Sequence, residues 1–275
     1  MQMHDDLIKQ YSTWLKSISE TAAKRWRLRL DKEHESAMAE ASVWQLLSSN
    51  AANVTLGESS GIGGLDFRCH IETGIEFYVE VTNFDTESLS RKTGLPESVD
   101  DWHGGGVVDI AREYLRKRRS KQDQIEHHSV DCPVLIAMTA FHATATLVHF
   151  DKKAASDLLI PPTARRVPFH TDPDDNTPLP PSWEEPLFEH ACFFQKGPRE
   201  NTFIESCPNV SGILLFGIPW SESGTGRPCA YAALNPTARY PFNPDWLADI
   251  PMCKLKADWS KIDPCDWSIE WMNDA

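Results

Sequence analysis

Three carboxylates stand where carboxylates are costly. Asp66 lies between Leu65 and Phe67, and Glu80 interrupts the run Phe77-Tyr78-Val79-Glu80-Val81. Glu40 falls among Ala37, Trp44 and Leu47 when the segment 33–49 is wound at about 100° per residue. An ionised carboxylate in apolar surroundings is unfavourable unless it is paired or holds a metal. Asp66 and Glu80 are expected on adjacent strands, where two negative charges repel. A cation between them is the simplest answer. The same residues allow a plainer arrangement. Side chains alternate along a strand, so Glu80 with Tyr78 and Thr82 could form the solvated side of an ordinary hairpin.

The elements that must position these acids are legible in outline. Residues 65–71 and 75–82 read as two strands joined by a tight Thr73-Gly74 turn, the second rich in β-branched and aromatic residues. Residues 5–30 form a helical pattern through Leu7, Tyr11, Trp14, Leu15 and Ile18. It ends in the basic and aromatic run Lys24-Arg25-Trp26-Arg27-Leu28-Arg29, a solvated helix face or a phosphate contact. A second helix over 33–49 carries Glu40, and a short strand is expected at 53–56. After a polar loop over 85–106, a long helix spans about 107–127. Arg112, Arg116 and Arg119 lie on its outer face, with Lys117 on the flank and Lys121 at the edge of the inward side. Residues 133–139 and 210–218 are buried-strand patterns, and 229–234 pairs plausibly with the latter. Residues 143–150 fit a strand or a short helix. The Pro- and Asp-rich stretch 161–187 reads as a long loop or insertion. The tail from 240, with Trp246, Trp259, Trp267 and Trp271, reads as short helices and loops wrapping the domain.

Composition narrows the class. The chain has 275 residues, 41% of them hydrophobic and 24% charged, as in ordinary globular proteins. No apolar run is long enough to span a bilayer, and residues 1–6 lack the basic start of a signal peptide, so a cytoplasmic protein without a membrane partner is expected. Seven scattered cysteines form no CxxC pair, which argues against a disulfide framework or a structural zinc site. The net charge of −13 opposes binding of nucleic acid at long range, so any such contact must come from local basic patches. Gly57-Glu58-Ser59-Ser60-Gly61 matches a nucleophile-elbow pattern, and His103-Gly104-Gly105-Gly106 matches an oxyanion loop. The pair is rejected. An elbow passes from strand straight into helix, whereas more glycine and a strand follow here, and the glycine run comes after the serine.

In order, a helix with Glu40, then Leu65-Asp66-Phe67, then Val79-Glu80-Val81-Thr82, a basic helix with Lys121-Gln122-Asp123-Gln124-Ile125 and the strand 133–139 form a series. It resembles the PD-(D/E)xK, or restriction-endonuclease-like, superfamily over about residues 33–140, and more weakly over 205–240 through the strand 210–218 and Asn235-Pro236. The resemblance implies an α/β fold with a mixed central sheet flanked by helices. On this reading 1–275 is one domain, with an N-terminal helical extension (1–32), the insertion (161–187) and the Trp-rich tail (240–275). It also implies a Mg²⁺ or Mn²⁺ site with Asp66, Glu80 and the Val81 carbonyl as ligands, and Glu40 binding directly or through water. The activity implied is hydrolysis of phosphodiester bonds in nucleic acid, DNA or RNA, with Arg112, Arg116, Lys117 and Arg119 against the phosphates and oligomerisation allowed. Leu65 departs from the motif proline. Thr82 stands where the catalytic lysine would be, so Lys121, with Gln124 beside it, is the expected replacement. If Lys121 does not reach the acids, the implied alternative is an inactive nuclease-like binding or assembly protein.

Overall fold

Three helices open the chain, followed by strands that build one sheet. The structure, a computed structural model, describes residues 2–50, 53–57, 64–71, 74–97, 125, 131–142, 144–146, 150–160, 163–166, 181–186, 192–196, 203–205, 207–217, 230–256 and 267–273. The expected single helix over 5–30 is two, α1 (Gln2–Ile18) and α2 (Glu20–Lys32). Ser19 separates them with extended backbone (φ −159°), and its hydroxyl accepts the Ala22 N–H at 3.3 Å. That cap satisfies one of the orphan donors of the new helix and lets the chain double back. Leu7, Tyr11 and Leu15 then share a core with Ala23 and Trp26, and with Ala37, Met38 and Leu47 of α3 (His34–Asn50). Residues 2–32 are therefore integral to the main core, not an appendage of it.

β1 (Asn53–Leu56), β2 (Phe67–His70) and β3 (Glu76–Phe84) follow as an antiparallel series. Gly74 adopts φ +78° in the β2–β3 turn, a left-handed conformation that favours glycine. The expected loop over 85–106 instead begins with a helix, α4 (Thr86–Thr93). The Asp85 carboxylate accepts the Ser88 N–H at 2.8 Å, and Gly94 closes the helix at φ +69°. Of the long helix expected over 107–127, Ile125 is described, helical and buried.

β4 (Val134–Ala140) is buried along its whole length and runs parallel to β3. A short helix, α5 (Lys152–Asp157), comes next. Part of the expected loop 161–187 is strand: β5 (Thr163–Arg166) pairs antiparallel with β6 (Trp183–Pro186). β7 (Phe194–Lys196) and β8 (Phe203–Glu205) form a second small pair. β9 (Gly212–Gly217), also fully buried, runs parallel to β4, and β10 (Ala230–Leu234) pairs antiparallel with β9.

The tail does not merely wrap the domain. After a 3₁₀ turn (Pro244–Leu247) it adds β11 (Met252–Leu255), parallel to β10, and β12 (Ile269–Met272), antiparallel to β11. Among the described residues the main sheet is mixed and eight-stranded, in the order β1-β2-β3-β4-β9-β10-β11-β12. One apolar cluster, with α1–α3, includes Phe77, Val79, Leu135 and Ala137. The alternate residues Phe84, Val134, Ile136 and Met138 belong to a second, with Leu89, Phe150 and Leu159. The period of two thus fills both faces of the sheet, giving an α/β fold. Among the described residues no helix is long and apolar enough to cross a membrane.

Candidate metal centre

The site grows from a fork in the sheet. Along β3, Tyr78 donates its N–H to Pro133 O at 2.9 Å, so the backbone of Tyr78, Glu80, Thr82 and Phe84 faces β4. The backbone of Phe77, Val79 and Val81 faces the other way, toward β2. Pairing with β2 ends at Phe67↔Val79, while pairing with β4 continues to Phe84↔Ala140. The next opposing positions are Asp66 and Glu80, where the backbone ladder stops. There the Asp66 side chain takes over: its Oδ2 accepts the Val81 N–H at 2.7 Å. A residue's N–H and C=O point the same way in a strand, so the Val81 carbonyl also faces this fork.

Asp66 is held from behind. Its carbonyl accepts the Gly57 N–H at 3.0 Å, which continues β1 against β2. A Cβ at Gly57 would lie 2.4 Å from the Leu65 carbonyl oxygen, so glycine is what permits this approach. Glu80 is only 2% exposed and Thr82 only 1%. The solvated-hairpin arrangement allowed by the sequence is therefore not the one adopted.

Glu40 is also buried, 8% exposed, but in different company. Tyr11 Oη donates to its Oε1 at 2.6 Å, and Arg29 Nη1 donates to its Oε2 at 2.8 Å. Burial, and secondly the charge of Asp66, push the Glu40 carboxyl up to about 7, against the opposing pull of Arg29 and Tyr11. Burial and Glu40 raise the Tyr11 phenol well above its usual range. Burial alone would lower the Arg29 guanidinium, but Glu40 and Asp66 outweigh it and raise it. Glu40, Tyr11, Arg29 and Asp66 thus form one electrostatic group on the side of the sheet covered by α1–α3. Strand alternation directs Glu80 to the opposite face, with Tyr78 and Phe84.

Among the described residues no group of three or more His, Cys, Asp or Glu is arranged to hold a metal ion. The Asp66 carboxylate and the Val81 carbonyl at the fork have the hard oxygen chemistry that suits Mg²⁺ or Mn²⁺, while the Glu80 carboxylate lies on the other face of β3. Glu40 fits less well as a direct ligand, since both of its oxygens accept short hydrogen bonds. Lys121, Gln124, Arg112, Arg116, Lys117 and Arg119 lie outside the described residues.

The sequence reading placed Tyr11 on an apolar stripe and Arg29 in a basic run, and neither carried a local sign of its partner. Within that run Trp26 is buried and donates Nε1–H to Ala37 O at 3.1 Å, while Arg27 Nε donates to Ser12 Oγ at 3.1 Å. A second polar pair resembles a nucleophile and its base. His142 is buried, with Nε2 3.2 Å from Ser90 Oγ. Its Nδ1, however, accepts the Ala145 N–H at 3.2 Å. The neutral ring proton then sits on Nε2 and is donated to Ser90, so His142 tethers α4 to the end of β4 and does not activate a hydroxyl.

Compared with family models, curated proteins and solved structures, the chain matches none.

Proposed function

We propose that this chain is a metal-dependent nuclease of restriction-endonuclease-like fold, hydrolysing phosphodiester bonds of DNA or RNA. The observation that carries the reading is the Asp66 carboxylate replacing a ladder bond at Val81, where β3 leaves β2 and continues along β4 with Glu80 buried beside the break. Asp66 and the Val81 carbonyl would hold Mg²⁺ or Mn²⁺ at the fork, and Glu80, directed to the other face of β3, would have to swing through the break in the ladder to join them. Bound there, the ion supplies Lewis-acid polarisation of a phosphoryl oxygen and a more acidic water. Lys121 would provide the ammonium group that Thr82 lacks, with Gln124 beside it, and Arg112, Arg116, Lys117 and Arg119 would meet phosphates. Glu40 sets the charge around Asp66 through Tyr11 and Arg29.

The test is cleavage of labelled single- and double-stranded DNA and RNA with Mn²⁺, beside thermal melts with and without the ion. Wild type is expected to cleave and to gain stability by mass action. Asp66→Asn and Glu80→Gln are expected to lose both effects. Lys121→Ala is expected to keep the melting shift and to lose roughly two to three orders of magnitude in rate, as when one preorganised donor is removed. A wild type that neither cleaves nor responds to Mn²⁺ overturns the reading.

Two observations favour a second reading, an inactive nuclease-like binding protein. Thr82 is buried at the place of the lysine, and the Arg29 guanidinium already offsets the charge of Glu40 and Asp66. That protein would bind nucleic acid without cutting it and melt at the same temperature with or without Mn²⁺.

A further inference from the structure

Helix α2 carries a cationic stripe that the proposed site does not use. Advancing about 100° per residue from Lys24, the residues Leu28, Lys32, Arg25 and Arg29 fall within an arc of about 140°. Asp31 and Glu20 border the arc beside Lys24, about 20° and 40° outside it, and neither forms an ion pair with Lys24 among the described residues. The opposite side of the helix, with Ala23 and Trp26, is buried in the core. Lys24, Arg25 and Lys32 are exposed, and among the described residues none of the three makes an ion pair. Leu28, between Lys24 and Lys32, is 62% exposed. On a chain with a net charge of −13, three exposed cations without a carboxylate partner are conspicuous.

The stripe also has a direction. Arg29, at its margin, bonds Glu40 at 2.8 Å and feels the charge of Asp66, so the cationic face runs up to the acidic group. From Lys24 to Lys32 the helix advances about 12 Å. A nucleic-acid strand carries one phosphate per about 3.4 Å of axis, so three or four phosphates would face this length.

We infer that the Lys24–Arg25–Lys32 face of α2 is a docking track for the phosphate backbone of nucleic acid, delivering a strand to the Asp66 fork. The identity of the polyanion rests on the nuclease reading. Outside this track and the proposed phosphate contacts at Arg112, Arg116, Lys117 and Arg119, the chain is acidic on balance and repels the backbone. Phosphate contacts of this kind set register and orientation without reading bases.

The experiment measures binding of short labelled DNA and RNA oligonucleotides to the full chain in EDTA, across a salt series, so that cleavage plays no part. The variants are Lys24→Ala/Arg25→Ala/Lys32→Ala and, as a control on α1, Lys9→Ala/Lys16→Ala, each checked for an unchanged melting temperature. Removing three phosphate contacts is expected to flatten the slope of log K against log salt by about 2 to 3, while the control keeps the wild-type slope. A parallel arm uses vesicles of neutral lipid containing phosphatidylserine. Equal slopes for wild type and the triple variant overturn the inference, as does a wild type that binds no oligonucleotide. A triple variant that loses only vesicle binding overturns it in favour of a membrane surface. The two ideas fail separately. Cleavage by wild type with an unaltered slope in the variant removes the track and leaves the nuclease. A flattened slope with no cleavage by wild type keeps the track and removes the nuclease.

Discussion

Glu40 keeps its proton up to about pH 7 because it is buried and feels the charge of Asp66. In the unfolded chain the same carboxyl titrates near 4.5. Between these values the folded state binds more protons, so stability falls as pH rises. The contribution is complete below about 4.5 and is lost as pH passes the folded value of about 7. The gap corresponds to roughly 3 kcal/mol. Glu40→Gln should flatten this dependence, read as the urea midpoint at several pH values from the mildly acidic to the mildly basic. Tyr11 and Arg29 both hold the carboxyl down. Arg29→Ala should therefore move the window upward, and an unchanged window would show that the guanidinium does not act on Glu40.

Two glycines shape their elements for different reasons. At Gly57 the obstacle is space: an added Cβ meets the Leu65 carbonyl oxygen at 2.4 Å, and backbone cannot rotate aside. Gly57→Ala must push β1 from the start of β2, at a cost of about 1–3 kcal/mol. It also shifts Asp66, so the melting gain proposed with Mn²⁺ should shrink beyond what the lost stability explains. At Gly94 there is room, with nothing within 4 Å, but φ is +69°. Gly94→Ala should cost about 1–2 kcal/mol through backbone strain alone and leave the Mn²⁺ response unaltered. Equal metal responses in the two variants would detach Gly57 from the site. The α4 boundaries were readable, with Asp85 before the helix and Gly94 after it, yet the polar composition of that stretch suggested a loop. Caps were the better signal because they satisfy specific orphan backbone groups.

At the scale of the whole molecule, the C-terminal segment is structural. Phe242 packs edge-on to Phe77 at 5.0 Å between ring centres, and Trp246 stacks over the same ring at 6.1 Å. Leu247, Ile250 and Met252 are buried in the main core, and β11 covers what would otherwise be the exposed edge of β10. Removing residues 240–275 should abolish cooperative unfolding and the fixed aromatic signal in near-ultraviolet circular dichroism. A truncated chain that still melts in one sharp step would return the tail to a wrapping role. The sequence reading missed β11 and β12 because Met252–Leu255 and Ile269–Met272 are four residues each, too short for a distinctive pattern.

Local patterning alone determined a good part of this protein. The continuous apolar runs of β4 and β9 announced strands buried on both faces, Gly74 announced the hairpin, and Glu40, Asp66 and Glu80 stood out as acids in apolar settings. Periodicity records which face is buried because hydrophobic burial acts on each residue's own side chain. It does not record what that face meets. Tyr11 reaches Glu40 across 29 positions, and the Asp66 carboxylate reaches the Val81 N–H across 15. Only the tertiary structure decided that Glu40 faces Arg29 on one side of the sheet while Glu80 turns to the other. Those partners are chosen by how α1–α3 pack and by where the β2–β3 register stops, long-range outcomes that no single segment encodes.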